Sequence, residues 1–204
     1  MAGLQGESAS DAGITARHWD PIPIILPSVP GARASCARPE EAEVGQVRGN
    51  YFYGLAAFFL VADQISKHLV SQFVPFSASV AIIPGLFNLT HILNPGAAFG
   101  FLSTGGGSYR NPFFIGISLL ALLFIFYYYY RQGRSKPLCG AGLGMIAGGA
   151  AGNLLDRLRQ GAVVDFLDFH IGRLHWPAFN LADSAITIGV AFLVWDLWRE
   201  ARRS

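Results

Sequence analysis

The sequence predicts an α-helical membrane protein, four transmembrane helices carrying a small antiparallel β-sheet outside the lipid. Three observations predict it. Hydrophobic residues fill 52% of the 204 positions and charged residues only 14%, against about 25% charged in an ordinary soluble domain. Four apolar stretches each approach the ~20 residues needed to cross ~30 Å of hydrocarbon. The two longer connections between them alternate apolar and polar residues with the period of a strand.

Residues 1–49 stand apart. They hold six acids (Glu7, Asp11, Asp20, Glu40, Glu41, Glu43) and four arginines among scattered Pro, Gly, Ser and Ala. The longest apolar piece, IPIILP, is broken by prolines, so neither a span nor a cleavable signal is expected there. This part is expected to be a flexible cytoplasmic extension. Residues 50–204 form the membrane domain, with spans at about 51–73, 111–130, 138–155 and 177–198 and outer loops at 74–110 and 156–176. The third span is rich in Gly and Ala, which in lipid favours close helix contact, so it is expected in the interior of the bundle.

Arg131, Arg134 and Lys136 lie between spans two and three, and Arg199, Arg202 and Arg203 follow span four. The bias of Lys and Arg toward the cytoplasm then places both termini inside. Arg157, Arg159 and Arg173 in the second outer loop weaken this asymmetry without reversing it. Tyr127 to Tyr130, with Trp195 and Trp198, are expected as interfacial anchors on the cytoplasmic side. In the outer loops, VAII, then Pro84-Gly85, then LFNLTHIL reads as strand, turn and strand, and AVVDFLDFHIG alternates as well. A net charge of +2 and the lack of a basic stripe with interleaved aromatics argue against nucleic acid. Cys36 and Cys139 are expected to be free thiols.

Several charges demand a reason. Asp63 falls in the middle of the first span, where a charge costs at least ~2.5 to 3.5 kcal/mol. Lys67 lies four residues on and shares its helix face. The two read either as a mutually neutralised pair facing the bundle or as groups that position the loops and substrate. Asn180 and Asp183 open the fourth span, and their spacing suits a helix cap with a first-turn acid. Asp165, in VVDF, is flanked by apolar residues in the loop that leads to that span, so Asp165 and Asp183 come to one membrane face. Two carboxylates at one dehydrated site share a proton and titrate together. One then takes a proton from water while the other polarises a carbonyl, with no metal or cofactor needed. Asn153, Asp156 and Arg157 add polar groups at the outer end of the third span, with Asp168 nearby.

In this order along the chain, ADQISK (62–67), NPGAAFG (94–100), GGAAGNLLDR (148–157), VVDF (163–166) and FNLADSAI (179–186) resemble the motifs of the bacterial lipoprotein signal peptidases, also called signal peptidase II. The resemblance covers about 54–198. It implies a membrane aspartic endopeptidase that cleaves prolipoproteins on the N-terminal side of a diacylglyceryl-modified cysteine. Asp165 and Asp183 would be the catalytic pair. Asn153, Asp156, Arg157 and Asn180 would brace the site, Arg157 holding a carboxylate or a loop carbonyl, and Asn94 and Gly96 would line it. The resemblance further implies an extracytoplasmic β-cradle with a short helix, a bacterial inner-membrane location, lipidated prolipoproteins and membrane lipids as partners, and inhibition by globomycin; nothing in the sequence demands more than a monomer.

Other chemistries fit less well. A Ser/Lys protease would draw on Ser66 or Ser184, but Lys67 is more simply paired with Asp63, and no GxSxG occurs. HExxH is absent, and His68, His91, His170 and His175 lack ligand spacing for zinc. A proton-coupled transporter using Asp63, Asp165 and Asp183 as a relay would be supported by inverted repeats, which the sequence does not show.

Overall fold

The computed structural model describes residues 39–96 and 109–203. The first 38 residues, the Ala97–Gly100 end of the NPGAAFG motif and Cys36 lie outside them. Four long helices and a four-stranded antiparallel sheet are present: α1 (Pro39–Phe73), β1 (Ser79–Ile83), β2 (Phe87–Asn94), α2 (Arg110–Tyr128) with a π-helical turn over Tyr129–Gly133, α3 (Pro137–Gln160), β3 (Val163–Ile171), β4 (Leu174–His175) and α4 (Leu181–Ala201). Among the described residues there is no separate short helix of the kind the resemblance implied.

Three helical segments, Arg110–Gly133, Pro137–Gln160 and Leu181–Ala201, are long and apolar enough to cross a membrane. α1 has the length, but Asp63, Gln64, Lys67 and His68 lower its hydropathy. The fourth helix starts at Leu181, later than the apolar stretch from 177, because Asn180 caps it in extended conformation.

α3 is the central helix, as its small residues predicted: 67% of its apolar window is buried, against 11% for α2 and 17% for α4. Glycine makes the close packing possible. Gly144, Gly148 and Gly152 recur every four residues and face α1, where an added Cβ would strike the Phe52 carbonyl, the Ala56 carbonyl and the Asp63 carboxylate in turn. On the α4 side, a Cβ at Gly142 would meet the Gly189 carbonyl at 2.7 Å, and one at Gly189 the Gly142 carbonyl at 2.6 Å. Backbones approaching this closely gain dispersion contacts that larger side chains would prevent.

At the end of the bundle where α3 begins, Phe52 stacks on Tyr129 with ring centres 3.9 Å apart, and Ile125, Cys139 and Leu143 complete a buried cluster. Tyr129 is therefore a core residue and not an interfacial anchor. The π-helical turn at Tyr129 sets its ring toward α1 while Tyr127 and Tyr130 stay exposed. Trp195 and Trp198 are also exposed.

The sheet runs in the order β1-β2-β3-β4. β2 lies antiparallel to β3 with Ile92 opposite Asp165 and Asn94 opposite Val163. A bridge between Leu167 and Phe179 extends the pairing to the residue before the cap of α4.

Candidate active site

Local backbone structure brings Asp165 of β3 and Asp183 of α4 together. The amides of Phe166 and Leu167 donate to the Phe179 carbonyl at 3.0 and 2.8 Å, and the Phe179 amide donates back to Leu167 at 3.1 Å. The next residue, Asn180, is thereby held beside Asp165. It caps α4: its side chain accepts from the Asp183 amide at 3.0 Å, and the Asp183 carboxylate accepts from the Asn180 amide at 3.2 Å. This reciprocal box satisfies two amides of the first helical turn and holds the Asp183 side chain close to the cap.

Three asparagine side chains then aim their NH2 groups at the carboxylates. Asn180 Nδ2 donates to Asp165 Oδ1 at 2.7 Å, Asn94 Nδ2 to Asp165 Oδ2 at 2.9 Å, and Asn153 Nδ2 to Asp183 Oδ1 at 2.8 Å. Each amide is oriented by a group that can only donate, so each oxygen has to face away from its carboxylate. The backbone N–H of Asp183 fixes Asn180, the backbone N–H of Gly96 fixes Asn94 at 2.8 Å, and the Lys67 ammonium fixes Asn153 at 2.8 Å. Asn180 Nδ2 also reaches Asn153 Oδ1 at 3.2 Å. The two aspartates are thus joined through Asn180 and Asn153.

The pair is asymmetric. Asp165 is buried, whereas Asp183 is half-buried. Burial pushes the Asp165 carboxyl up to about 6, against the opposing pull of the Asn94 hydrogen bond, and the Asp183 charge pushes the same way. Of the two, Asp165 is the one suited to keep a proton.

Below the pair sits a buried charge cluster. Lys67 Nζ lies 2.8 Å from both Asp63 Oδ2 and Asp156 Oδ2, and all three side chains are almost wholly enclosed. Asp63 and Lys67 therefore pair as expected, but Asp156 makes the pair a triad. Both acids also accept from backbone amides: Asp63 through its other oxygen, Oδ1, from Ala182 at 2.9 Å in the first turn of α4, and Asp156 through the same Oδ2 from Val164 at 3.2 Å next to Asp165. With its three donors committed to Asp63, Asp156 and Asn153, Lys67 has no role as a general base, and Ser66 donates to the Asp63 carbonyl at 2.8 Å. This arrangement does not support a Ser/Lys mechanism.

Arg157 departs from expectation. Its guanidinium holds the Asn153 carbonyl of its own helix at 3.4 Å and lies over the Phe114 ring, 5.2 Å from the centre, so the fork grips no carboxylate. Its charge still acts on Asp183, Asp156 and Asp165. Gly96, at φ +94°, packs against the same Phe114, and a Cβ there would overlap the ring. Arg157, Phe114 and Gly96 thereby anchor the end of β2 to α2 and α3.

Comparison with known proteins now decides the family. Residues 55–199 match the family model described as signal peptidase (SPase) II. The chain belongs to this family. It is 48% identical over 149 residues to the lipoprotein signal peptidase of Paraburkholderia phymatum, covering 73% of this chain and 88% of that one. It is 44% identical over 159 residues to that of Geobacter metallireducens, covering 77% and 97%. A solved structure described as a bacterial membrane enzyme obtained by the in meso method superposes with TM-score 0.65 at 31% identity, covering 74% of this chain and 88% of that one. A second, described in the same terms, gives 0.63 at 32% identity, covering 70% and 89%. As a member of the signal peptidase II family the protein is a membrane peptidase that removes signal peptides from prolipoproteins.

Sequence reasoning missed two parts of this candidate site. Gln64 donates to Asp156 Oδ1 at 3.0 Å and to the Gly152 carbonyl at 3.3 Å, and accepts from Arg159 at 3.1 Å. Its place beside Asp63 in a polar stretch of α1 was the available signal. Phe114 gave none, because one aromatic in an apolar helix looks like any other. Asp168 points away from the pair, as its odd spacing from Asp165 on a strand requires. It accepts from Asn88 at 3.0 Å and lies 2.9 Å from His175 Nδ1. Burial raises its carboxyl, but the His175 and Asn88 hydrogen bonds outweigh this and hold it below the usual range.

Proposed function

We propose that the peptidase works by a two-aspartate mechanism, removing signal peptides on the N-terminal side of a diacylglyceryl-modified cysteine. The observation that carries this reading is the double amide link between Asp165 and Asp183 through Asn180 and Asn153. Asp183 takes a proton from a water as its oxygen attacks the scissile carbonyl. Asp165 hydrogen-bonds the carbonyl oxygen and gives it the shared proton as the tetrahedral intermediate forms. Collapse returns that proton to Asp165, and the proton on Asp183 leaves with the amine. The Asn94 and Asn180 amides hold Asp165 in place through this cycle, and the Lys67 triad fixes the amide that faces Asp183.

The same reading takes α1 as the fourth transmembrane helix, its charged residues being neutralised inside the bundle. It places both termini in the cytoplasm and the aspartates near the outer surface, with the sheet as an extracytoplasmic cradle. Globomycin is expected to occupy the site.

The test is gel-shift processing of a lipidated precursor by the purified protein in detergent. Asp165→Asn and Asp183→Asn should each abolish cleavage while the purified proteins keep their helical content and monodispersity. Normal processing by either variant refutes the dyad.

A further inference from the structure

Two cavities meet at the end of the helical bundle remote from the aspartates. At ~1.5 Å rise per residue, the length of α3 from Lys136 to Asn153 separates the two ends by roughly 25 Å. The first cavity, about 640 Å3, is rimmed by charges, lined among others by Lys136, Asp196, Arg199, Glu200 and Arg203. The second, about 260 Å3, is apolar and lies between α2, α3 and α4, with Phe124, Leu143, Ile146, Leu193 and Leu197 in its wall. Lys136 and Asp196 line both, so the two are adjacent across those side chains.

The charges of the polar cavity are unevenly spent. Lys136 Nζ is closed onto Glu200 Oε2 at 2.6 Å, and the Asp196 carboxylate also acts on Lys136. The guanidinium groups of Arg199 and Arg203 have no hydrogen-bond or ion-pair partner among the described residues. Three cations against two acids leave the cavity with one excess positive charge. α3 adds to the preference for an anion, because its N-terminus, capped by no side chain, borders the cavity with Pro137 and Leu138 in the lining. A phosphodiester suits paired guanidinium groups, and an acyl chain suits the apolar cavity next to it.

We propose that the adjacent cavities form a binding site for an anionic glycerophospholipid, its phosphate between Arg199 and Arg203 and one acyl chain in the apolar cavity. The site is independent of the aspartate pair. Its occupant is a lipid and not a free phosphate because the charged cavity borders an apolar one that shares Lys136 and Asp196 with it. A net-neutral choline headgroup leaves the excess positive charge uncompensated.

Native mass spectrometry of the full chain released from detergent, with defined lipids added, tests the proposal. The wild type should retain phosphatidylglycerol at least tenfold more than phosphatidylcholine of the same chains. Arg199→Gln together with Arg203→Gln should bring phosphatidylglycerol down to the phosphatidylcholine level. Leu197→Trp, which fills the apolar cavity from a position half open to lipid, should lower retention of both. As a matched control, Arg131→Gln with Arg134→Gln removes two arginines near the same membrane face but outside the cavities, and should leave the preference unchanged. Equal retention of the two lipids by the wild type, an equal loss in the control, an unaltered Leu197→Trp, or displacement of phosphatidylglycerol by millimolar glycerol phosphate would each overturn it.

Discussion

Asp165→Asn should change how stability depends on pH, by an amount that follows from the burial of one carboxylate. Burial raises the Asp165 carboxyl from its ordinary 3.8 to about 6. Between those values the folded protein binds more protons than the unfolded chain, so stability falls as pH rises through the window. At ~1.36 kcal/mol per tenfold, the fall amounts to about 3 kcal/mol, fully present above about pH 6 and absent below about pH 4. Asparagine cannot ionise, so the variant lacks this slope. The substitution also carries a cost that does not vary with pH: both Asp165 oxygens accept from NH2 groups, of Asn180 and Asn94, and an asparagine sets its own NH2 against one of them. That constant cancels when stabilities are compared across pH. The assay is thermal unfolding of both proteins in one detergent at pH 4, 5, 6, 7 and 8. The difference should move by about 2.4 kcal/mol in the variant's favour between pH 4 and pH 7, or roughly 5 to 10 °C for a chain of this size. Parallel curves would refute the assignment of the shared proton to Asp165.

Lys67→Met leaves Asp63 and Asp156 as unpaired buried carboxylates and should cost about 3 to 5 kcal/mol in thermal unfolding. Adding Asp63→Asn to that variant should recover part of the loss; stability within about 1 kcal/mol of wild type for Lys67→Met alone would show that the triad does not hold the fold. Gly152→Ala places a methyl against the Asp63 carboxylate and should cost about 1 to 3 kcal/mol through overpacking. Gly54→Ala, in the same bundle but with nothing within 4 Å of the new Cβ, should be neutral or slightly stabilising, and equal effects from the two would discount the close approach of α1 and α3. Precursor processing should proceed unchanged in EDTA. Loss of activity restored by zinc would point to a metal mechanism.

Much of the fold was legible because the lipid environment restricts the options. A backbone in hydrocarbon has to satisfy its own hydrogen bonds, so long apolar runs become helices, and the Gly/Ala content of residues 138–155 marked the helix whose neighbours would come closest. Strand alternation in LFNLTHIL and VVDFLDFHI located β2 and β3 to within a residue or so. Tyr129 shows what sequence leaves open. Four consecutive tyrosines at a helix end suit an interfacial belt, but a π-helical turn rotates one ring onto Phe52, and nothing in the order of residues announces that turn.

The site was legible as a set of residue types but not as a wiring. Asp63 and Lys67 share a helix face by spacing alone, so their pairing could be foreseen. Asp156 could not be added to them, because its approach depends on Gly152 letting α1 sit directly against α3. The orientation of each asparagine is likewise set from outside its own segment: Lys67 of α1 turns Asn153 of α3 toward Asp183 of α4. A carboxylate pair needs donors that hold it without neutralising it, and amides do this where lysine or arginine would not. An amide, however, presents an acceptor as readily as a donor, so a fixed donor behind each one is required. In the proposed two-aspartate mechanism the buried ammonium would serve the reaction by removing a rotational choice, 2.8 Å from an amide oxygen and one residue removed from the proton transfer.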